Sequence, residues 1–244
     1  MMSESKVFLT AEWRNLLMLN YAVNPALLQP SVPAGTELDS FEGQTYVSLI
    51  GFEFNRTRVA GLFIPLHRSF EEVNLRFYVK RDNRRGVVFL RELVPRFAVA
   101  AIARLFFGEN YQSVSMQHRI ESSADDGFVG ATYSWDTGRN RCSMQAEAEA
   151  APFLPPEGSL AQFITEHYWG YAAQRDGSCL EYEVQHPRWL ARNARCSAFS
   201  GDATKFYGAE FAKILIRPPD SAFLAEGSTV TVFKGSRIDG AAGA

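Results

Sequence analysis

Lysine is scarce in this 244-residue chain: of 25 basic residues only those at 6, 80, 205, 213 and 234 are lysine. Chemistry that needs a side-chain amine nucleophile therefore has few places to reside. Charge of one sign is lacking as well. Twenty-five Lys and Arg against 27 Asp and Glu leave a net charge of -2, so no global field recruits nucleic acid, an anionic membrane or a polyacidic partner. Cys142, Cys179 and Cys196 are widely spaced and never form a C-x-x-C pair, which points to reduced thiols rather than a disulfide framework or a zinc knuckle. The longest apolar run, residues 97–107, is broken by Arg104 and falls short of the roughly 20 residues a spanning helix needs. Glu4, Lys6, Glu12 and Arg14 interrupt the N-terminus before any signal-peptide core can form, so the expected location is the cytoplasm. H-x-x-x-H, H-x-H, acidic metal loops, G-x-G-x-x-G, Walker and G-x-S-x-G patterns are all missing, and neither a metal nor a cofactor is expected.

What is present is a large core. Apolar residues make up 46% and aromatics 13%, with 19 Phe, and a chain of this size buries roughly 70% of its extended surface on folding. No linker or internal repeat divides it. One domain is expected over residues 1–238, with a disordered tail over 239–244.

Alternation at period two between turn signals predicts a sheet-rich chain. Residues 15–23 read as a strand. Asn24 and Pro25 then offer the N-cap and first position of a short helix that Pro30 and Pro33 stop. Glu42-Gly43 reads as a hairpin turn joining strands 37–41 and 44–54. Strands 71–80 and 86–93 flank the charged loop 81–85, which reads as a solvated tip. Residues 95–107 read as a buried helix, followed by a three-stranded meander over 111–120, 128–135 and 141–150. A helix over 158–166, a hairpin of 168–174 with 179–186, a helix over 204–214 and a strand over 229–234 complete the chain. About ten strands and three or four helices give an α+β or helix-decorated barrel class.

The run Asn20-Tyr21-Ala22-Val23-Asn24-Pro25-Ala26-Leu27-Leu28-Gln29-Pro30, continued by 32–43, resembles the opening signature of the YqjF-like family of uncharacterised proteins. Matching segments follow in order: 70–79, 86–89, 103–108 with Tyr111, 163–168, and His186-Pro187-Arg188-Trp189. Together they cover roughly 230 residues, far more specific than any single motif. That family resembles acetoacetate decarboxylase, which implies an antiparallel cone or barrel around an internal cavity with a few peripheral helices. Acetoacetate decarboxylases use a buried lysine after an Arg-Glu-Leu sequence to form a Schiff base. Here Arg91-Glu92-Leu93 is followed by Val94-Pro95-Arg96-Phe97, and a guanidinium does not become a neutral amine nucleophile. A lysine mechanism would have to recruit Lys80, Lys205, Lys213 or Lys234 instead.

The strand over 72–79 carries the richest constellation. Period two puts Glu72, Asn74, Arg76 and Tyr78 on one face and Val73, Leu75, Phe77 and Val79 on the other. The polar face is either solvated or turned into the barrel, where it would bind a polar ligand. The resemblance favours the second, because acetoacetate decarboxylase carries a catalytic-site glutamate on a comparable Glu-Val strand that Glu72 matches. Arg91 and Glu92 point to opposite faces, with Arg91 preferred for the cavity as a clamp for a ligand carboxylate. His118 shares a face with Met116 and Ile120, and His186 with Tyr182 and Val184, so both read as buried. His67 reads as exposed. His167, Tyr168 and Tyr111 lie in matched segments and are candidates to line a ligand site.

Three functions remain open at this point. The first is a binding protein for a small carbonyl- or carboxylate-bearing molecule. The second is an enzyme using Glu72 with Arg76, or with a histidine such as His118 or His186, for acid-base work. The third is a structural or partner-binding domain, and self-association is left open with all three.

Overall fold

The computed structural model of the protein describes residues 6–63, 68–95, 110–123, 129–138, 140–149 and 151–238. The strands are β1 (Val7–Val23), β2 (Glu37–Leu38), β3 (Thr45–Val59), β4 (Leu62–Phe63), β5 (Phe70–Arg81), β6 (Arg84–Val94), β7 (Tyr111–Ser113) and β8 (Ser115–Ser122). They continue with β9 (Val129–Asp136), β10 (Arg141–Ala148), β11 (Trp169–Ala173), β12 (Cys179–Gln185), β13 (Ala191–Asn193), β14 (Arg195–Gly201), β15 (Ser221–Phe233) and β16 (Ser236–Ile238). Helices α1 (Pro25–Leu28), α2 (Leu160–Thr165) and α3 (Thr204–Leu215) are peripheral to them.

Seven strands pair around a closed circuit. β15 pairs with β1, β1 with β3, β3 with β5 and β5 with β6, all antiparallel. β6 then meets β11 in parallel, β11 pairs with β12, and β12 returns to β15. The fold is thus a mostly-β ring of strands, antiparallel around the circuit except at the β6–β11 junction. A separate four-stranded sheet in the order β14-β10-β9-β8 covers one side.

Alternation along the ring strands sorts their side chains into two cores. Leu17, Leu19, Leu49, Val73, Leu75 and Phe77 point outward and pack on Ala131, Tyr133, Trp135 and Met144 of the small sheet and on Phe206 and Leu215 of α3. Met18, Ile50, Phe52, Phe54, Phe70 and Val232 point into the ring. Gly51 permits the close approach of the layers: a Cβ there would lie 2.6 Å from Tyr133 Cδ2. Asn15, at φ 55, and Leu90 each insert an extra residue into a strand and reset which side chains face inward.

Several expectations are corrected. β1 begins at Val7 rather than 15, because the Asn15 bulge interrupts a continuous strand. The Glu42-Gly43 turn forms, with Phe41 bridged to Gln44, but β2 pairs with β5 and not with β3. Pro30 lies within a 3-10 turn over Gln29–Ser31 instead of ending the helix outright. The β5–β6 loop shrinks to Asp82-Asn83, since Arg81 pairs with Arg84 and Asp82 takes φ 53. Tyr111 leaves the expected meander and pairs in parallel with Glu92, while β14 supplies the small sheet's remaining strand. Helix α3 kinks at Gly208, which lies at φ 81. Residues 96–107 of the helix expected over 95–107, Arg96 and Phe97 among them, together with His67 and the tail 239–244, fall outside the described residues.

Candidate functional site

Inside the ring lies a cavity of about 130 Å³, close to the size of an apolar protein cavity that takes up benzene. Among the described residues its polar lining comes mainly from one side: Glu72, Asn74 and Arg76 of β5, Glu92 of β6, Tyr111 of β7, Thr165 at the end of α2, His167 before β11 and His186 after β12. The uninterrupted alternation of β5 delivers the first three, and Val73, Leu75 and Phe77 take the opposite face as the pattern requires.

Glu72 is almost fully buried and is oriented from two directions. Asn74 Nδ2 donates to its Oε1 at 2.9 Å and the Tyr111 hydroxyl donates to its Oε2 at 3.3 Å. Arg76 donates from Nη2 to the Ile164 carbonyl at 3.0 Å, while its buried Nε has no acceptor among the described residues. A charged donor left in that condition carries an uncompensated desolvation cost, which a ligand oxygen would remove. Arg76 stands four residue steps along β5 from Glu72, roughly 13 Å of strand, so the cationic and carboxylate ends of the polar lining are distinct.

His167 lies at the cationic end. Its ring nitrogens make no hydrogen bond of good geometry among the described residues, and the Ile164 carbonyl that pulls on the ring already accepts from Arg76. Burial, reinforced by the nearby Arg76 and Arg85 charges, holds the imidazole well below the ordinary histidine range, so it is neutral at pH 7. His186 stacks on Trp189 with centroids 4.2 Å apart. Its Nδ1 lies 2.9 Å from the Pro187 carbonyl and its Nε2 3.3 Å from the His167 carbonyl, and a neutral ring donates to one of them only. Burial lowers its pKa too.

The adjoining part of the lining is apolar, and β3 pairs it directly against β5, Phe52 beside Glu72 and Ile50 beside Asn74. Trp13 and Leu16 of β1, Ile50, Phe52 and Phe54 of β3, and Val232 of β15 form it, and Phe54 stacks on Phe70 at 4.8 Å. Gly170 closes the circuit beside Tyr182; a Cβ there would lie 2.2 Å from Tyr182 Cζ.

Three expected residues fall elsewhere. Arg91 points outward, donating from Nε to the Phe206 carbonyl and from Nη1 to Asn110 Oδ1. The inserted Leu90 flips the alternation after Val87 and Phe89, so Glu92 takes the inward place. His118 is exposed rather than buried and sits outside the ring. The face it shares with Met116 and Ile120 does meet the ring, but at the rim, where its Nδ1 lies 2.7 Å from Glu71 and its Nε2 3.5 Å from Glu53. Tyr168 does not line the cavity and packs against His186 at 4.8 Å. Tyr78 faces inward but is covered: His167 stacks on it, so it supports the site rather than lining it. Sequence reasoning missed the aromatic wall, although Phe52, Phe54 and Phe70 share the period that placed Glu72.

No lysine lines the cavity. Lys80 pairs with Glu37 at 3.4 Å, Lys205 bonds to Thr137, Lys213 pairs with Glu210, and Lys6 and Lys234 are exposed. Burial pushes the Cys142 thiol up to about 12 and that of Cys179 up to about 11, so neither supplies a ready thiolate. Among the described residues no group of three or more His, Cys, Asp and Glu could hold a metal ion, and no helix is long and apolar enough to cross a membrane.

Comparison with known proteins agrees with this architecture. The profile of the DUF2071 family, described as uncharacterized conserved protein (COG2071), matches residues 10–229. The uncharacterized protein YqjF of Bacillus subtilis is 29% identical over 204 residues, 80% of each chain. Acetoacetate decarboxylase from Legionella pneumophila superposes with a TM-score of 0.69 at 11% identity, over 98% of this chain and 90% of that one. The enduracididine biosynthesis enzyme MppR, solved in complex with pyruvate, superposes with a TM-score of 0.66 at 12% identity, over 98% and 93% of the two chains.

Proposed function

We propose that this chain, which belongs to the DUF2071 family of uncharacterised conserved proteins, uses its ring cavity to hold a small carbonyl- or carboxylate-bearing molecule without an imine to lysine. Arg76 carries the reading: it stands in the wall of the cavity with a buried Nε that lacks an acceptor among the described residues. A guanidinium offers parallel donors to a carboxylate or a pair of carbonyl oxygens, and neutral His167 beside it donates or accepts without adding charge. The pyruvate complex of MppR supports the reading by showing that a relative of this fold takes a small keto acid. The cytoplasmic location and the lack of nucleic-acid partners rest on the sequence alone.

Titration of the protein with pyruvate and acetoacetate by calorimetry or ligand-observed NMR tests it. Saturable binding is expected, weakened at least about tenfold by Arg76→Met with a smaller effect on Tm. Equal affinity in the variant overturns the assignment.

A second reading, catalysis, is favoured by the orientation of Glu72 between Asn74 and Tyr111 in the cavity. A carboxylate so held serves as a general base. Under that reading Glu72→Gln abolishes turnover of a bound keto acid, followed by deuterium exchange next to its carbonyl, and leaves binding intact. Unchanged exchange in the variant removes Glu72 from any acid-base role.

A further inference from the structure

We infer that the ligand is an amphipathic monocarboxylate, with an unbranched apolar tail of about four to six carbons behind the head group; this deepens the binding proposal above and rests on it. The observation is the division of the cavity. Its hydrogen-bonding groups gather on β5, β6, β7 and the segments around α2 and β12, interspersed with Phe70, Val87, Phe89 and Val184, while Leu16, Ile50, Phe52, Phe54 and Val232 on β1, β3 and β15 adjoin them with no charged group. Thr57 Oγ1 and Trp13 Nε1 are the polar atoms on that second wall, and neither has a hydrogen-bond partner among the described residues.

A three-carbon acid anchored at Arg76 presents one methyl group to this wall. The remaining apolar surface then faces space where water finds few hydrogen-bond partners. A longer tail replaces that emptiness with contacts, and each buried methylene tightens binding by roughly fourfold. Volume sets the length that is enclosed. At about 130 Å³ the cavity is close to one that accepts benzene, so a ligand of about six to eight heavy atoms fills it and further carbons gain no enclosed contact.

The test is a ligand series on the intact protein: acetate, butanoate, hexanoate and decanoate, with hexanol and hexanamide sharing the hexanoate tail. Hexanoate is expected to bind about two-hundredfold more tightly than acetate, and decanoate no more tightly than hexanoate. An acetate-to-hexanoate ratio of dissociation constants below tenfold, or steady tightening through decanoate, overturns the inference about the tail. Hexanol binding as tightly as hexanoate overturns the carboxylate reading while leaving the apolar wall in place. Absence of binding by every member sinks both.

Discussion

The imidazole of His167 lies against the phenol ring of Tyr78, centroids 4.6 Å apart and planes 26° from parallel. The hydroxyl of that phenol is 2.6 Å from Ser48 Oγ, Ser48 lies 2.7 Å from Asn20 Oδ1, and Asn20 donates to Ser221 at 3.2–3.3 Å. A chain of buried hydrogen bonds thus runs across β5, β3, β1 and β15 and fixes the surface on which the histidine rests. Removing the hydroxyl with Tyr78→Phe leaves Ser48 with one partner fewer and is expected to cost about 1 kcal/mol, or about 2–4 °C in Tm. Tyr78→Leu also loses the stack and should cost more and weaken ligand binding. Calorimetry of both variants checks this, and equal Tm values for Phe and Leu would remove the stacking argument.

Acid should destabilise the protein through the same histidine. Its native pKa is lowered by burial first and by Arg76 and Arg85 next, so below about pH 6.5 the unfolded chain binds the proton more readily than the folded one. The stability this neutral ring contributes is complete above that pH and is lost as pH falls toward the depressed native value. His186 is shifted in the same direction, also by burial first. Each group adds a slope of at most about 1.4 kcal/mol per pH unit. Denaturant melts at pH 7.5, 6.5 and 5.5 should show a steeper decline for the native sequence than for His167→Gln. Parallel curves would mean that the imidazole is not held neutral by the fold.

Gly170 lets the Tyr182 ring lie where a side chain would otherwise stand. With Tyr182 Cζ only 2.2 Å from the position of a Cβ, Gly170→Ala must push the Tyr182 ring away, and overpacking of this kind costs about 1–3 kcal/mol. Both residues line the cavity, so affinity for a bound carboxylate should fall along with Tm. Pairing the substitution with Tyr182→Leu should recover part of both. A Gly170→Ala protein with unchanged Tm and unchanged affinity would show that the wall yields without cost.

How much of this was legible in the sequence depends on where the strands carry an extra residue. β5 has none between Glu72 and Tyr78, so strict alternation placed Glu72, Asn74 and Arg76 together and their apolar neighbours on the opposite face. On β6 the same rule led to Arg91, because a bulge at Leu90 leaves no mark in composition and shifts the inward set from Val87 and Phe89 to Glu92. Asn15 concealed the first half of β1 in the same way. His118 went astray for a different reason: its apolar neighbours do face the ring, but at a rim where Glu53 and Glu71 are the partners. β13 and β14 were passed over because residues 191–201 are rich in Arg, Ser and Asn and show no clean alternation. The ring itself came from resemblance, since period two identifies strands but not which of them are neighbours.

Imine chemistry is the sharpest point on which this chain should part from the decarboxylases whose fold it shares. An imine requires a neutral amine beside the substrate carbonyl near pH 7, obtained by burial or by a neighbouring cation. Lys80 stands at the exposed end of β5 against Glu37. Lys205 and Lys213 lie on α3 outside the ring, both exposed and bonded to Thr137 and Glu210. Lys6 and Lys234 are exposed near the chain ends, where water stabilises the ammonium form. Incubation with acetoacetate and borohydride, followed by intact mass and peptide mapping, should therefore return unmodified protein at a stoichiometry that labels an imine-forming decarboxylase fully. One reduced adduct per chain at a single lysine, with carbon dioxide release lost when that lysine is replaced by Met, would overturn the claim. It would require that lysine to enter the ring, and because none now lines the cavity, the strand or helix bearing it would have to move first.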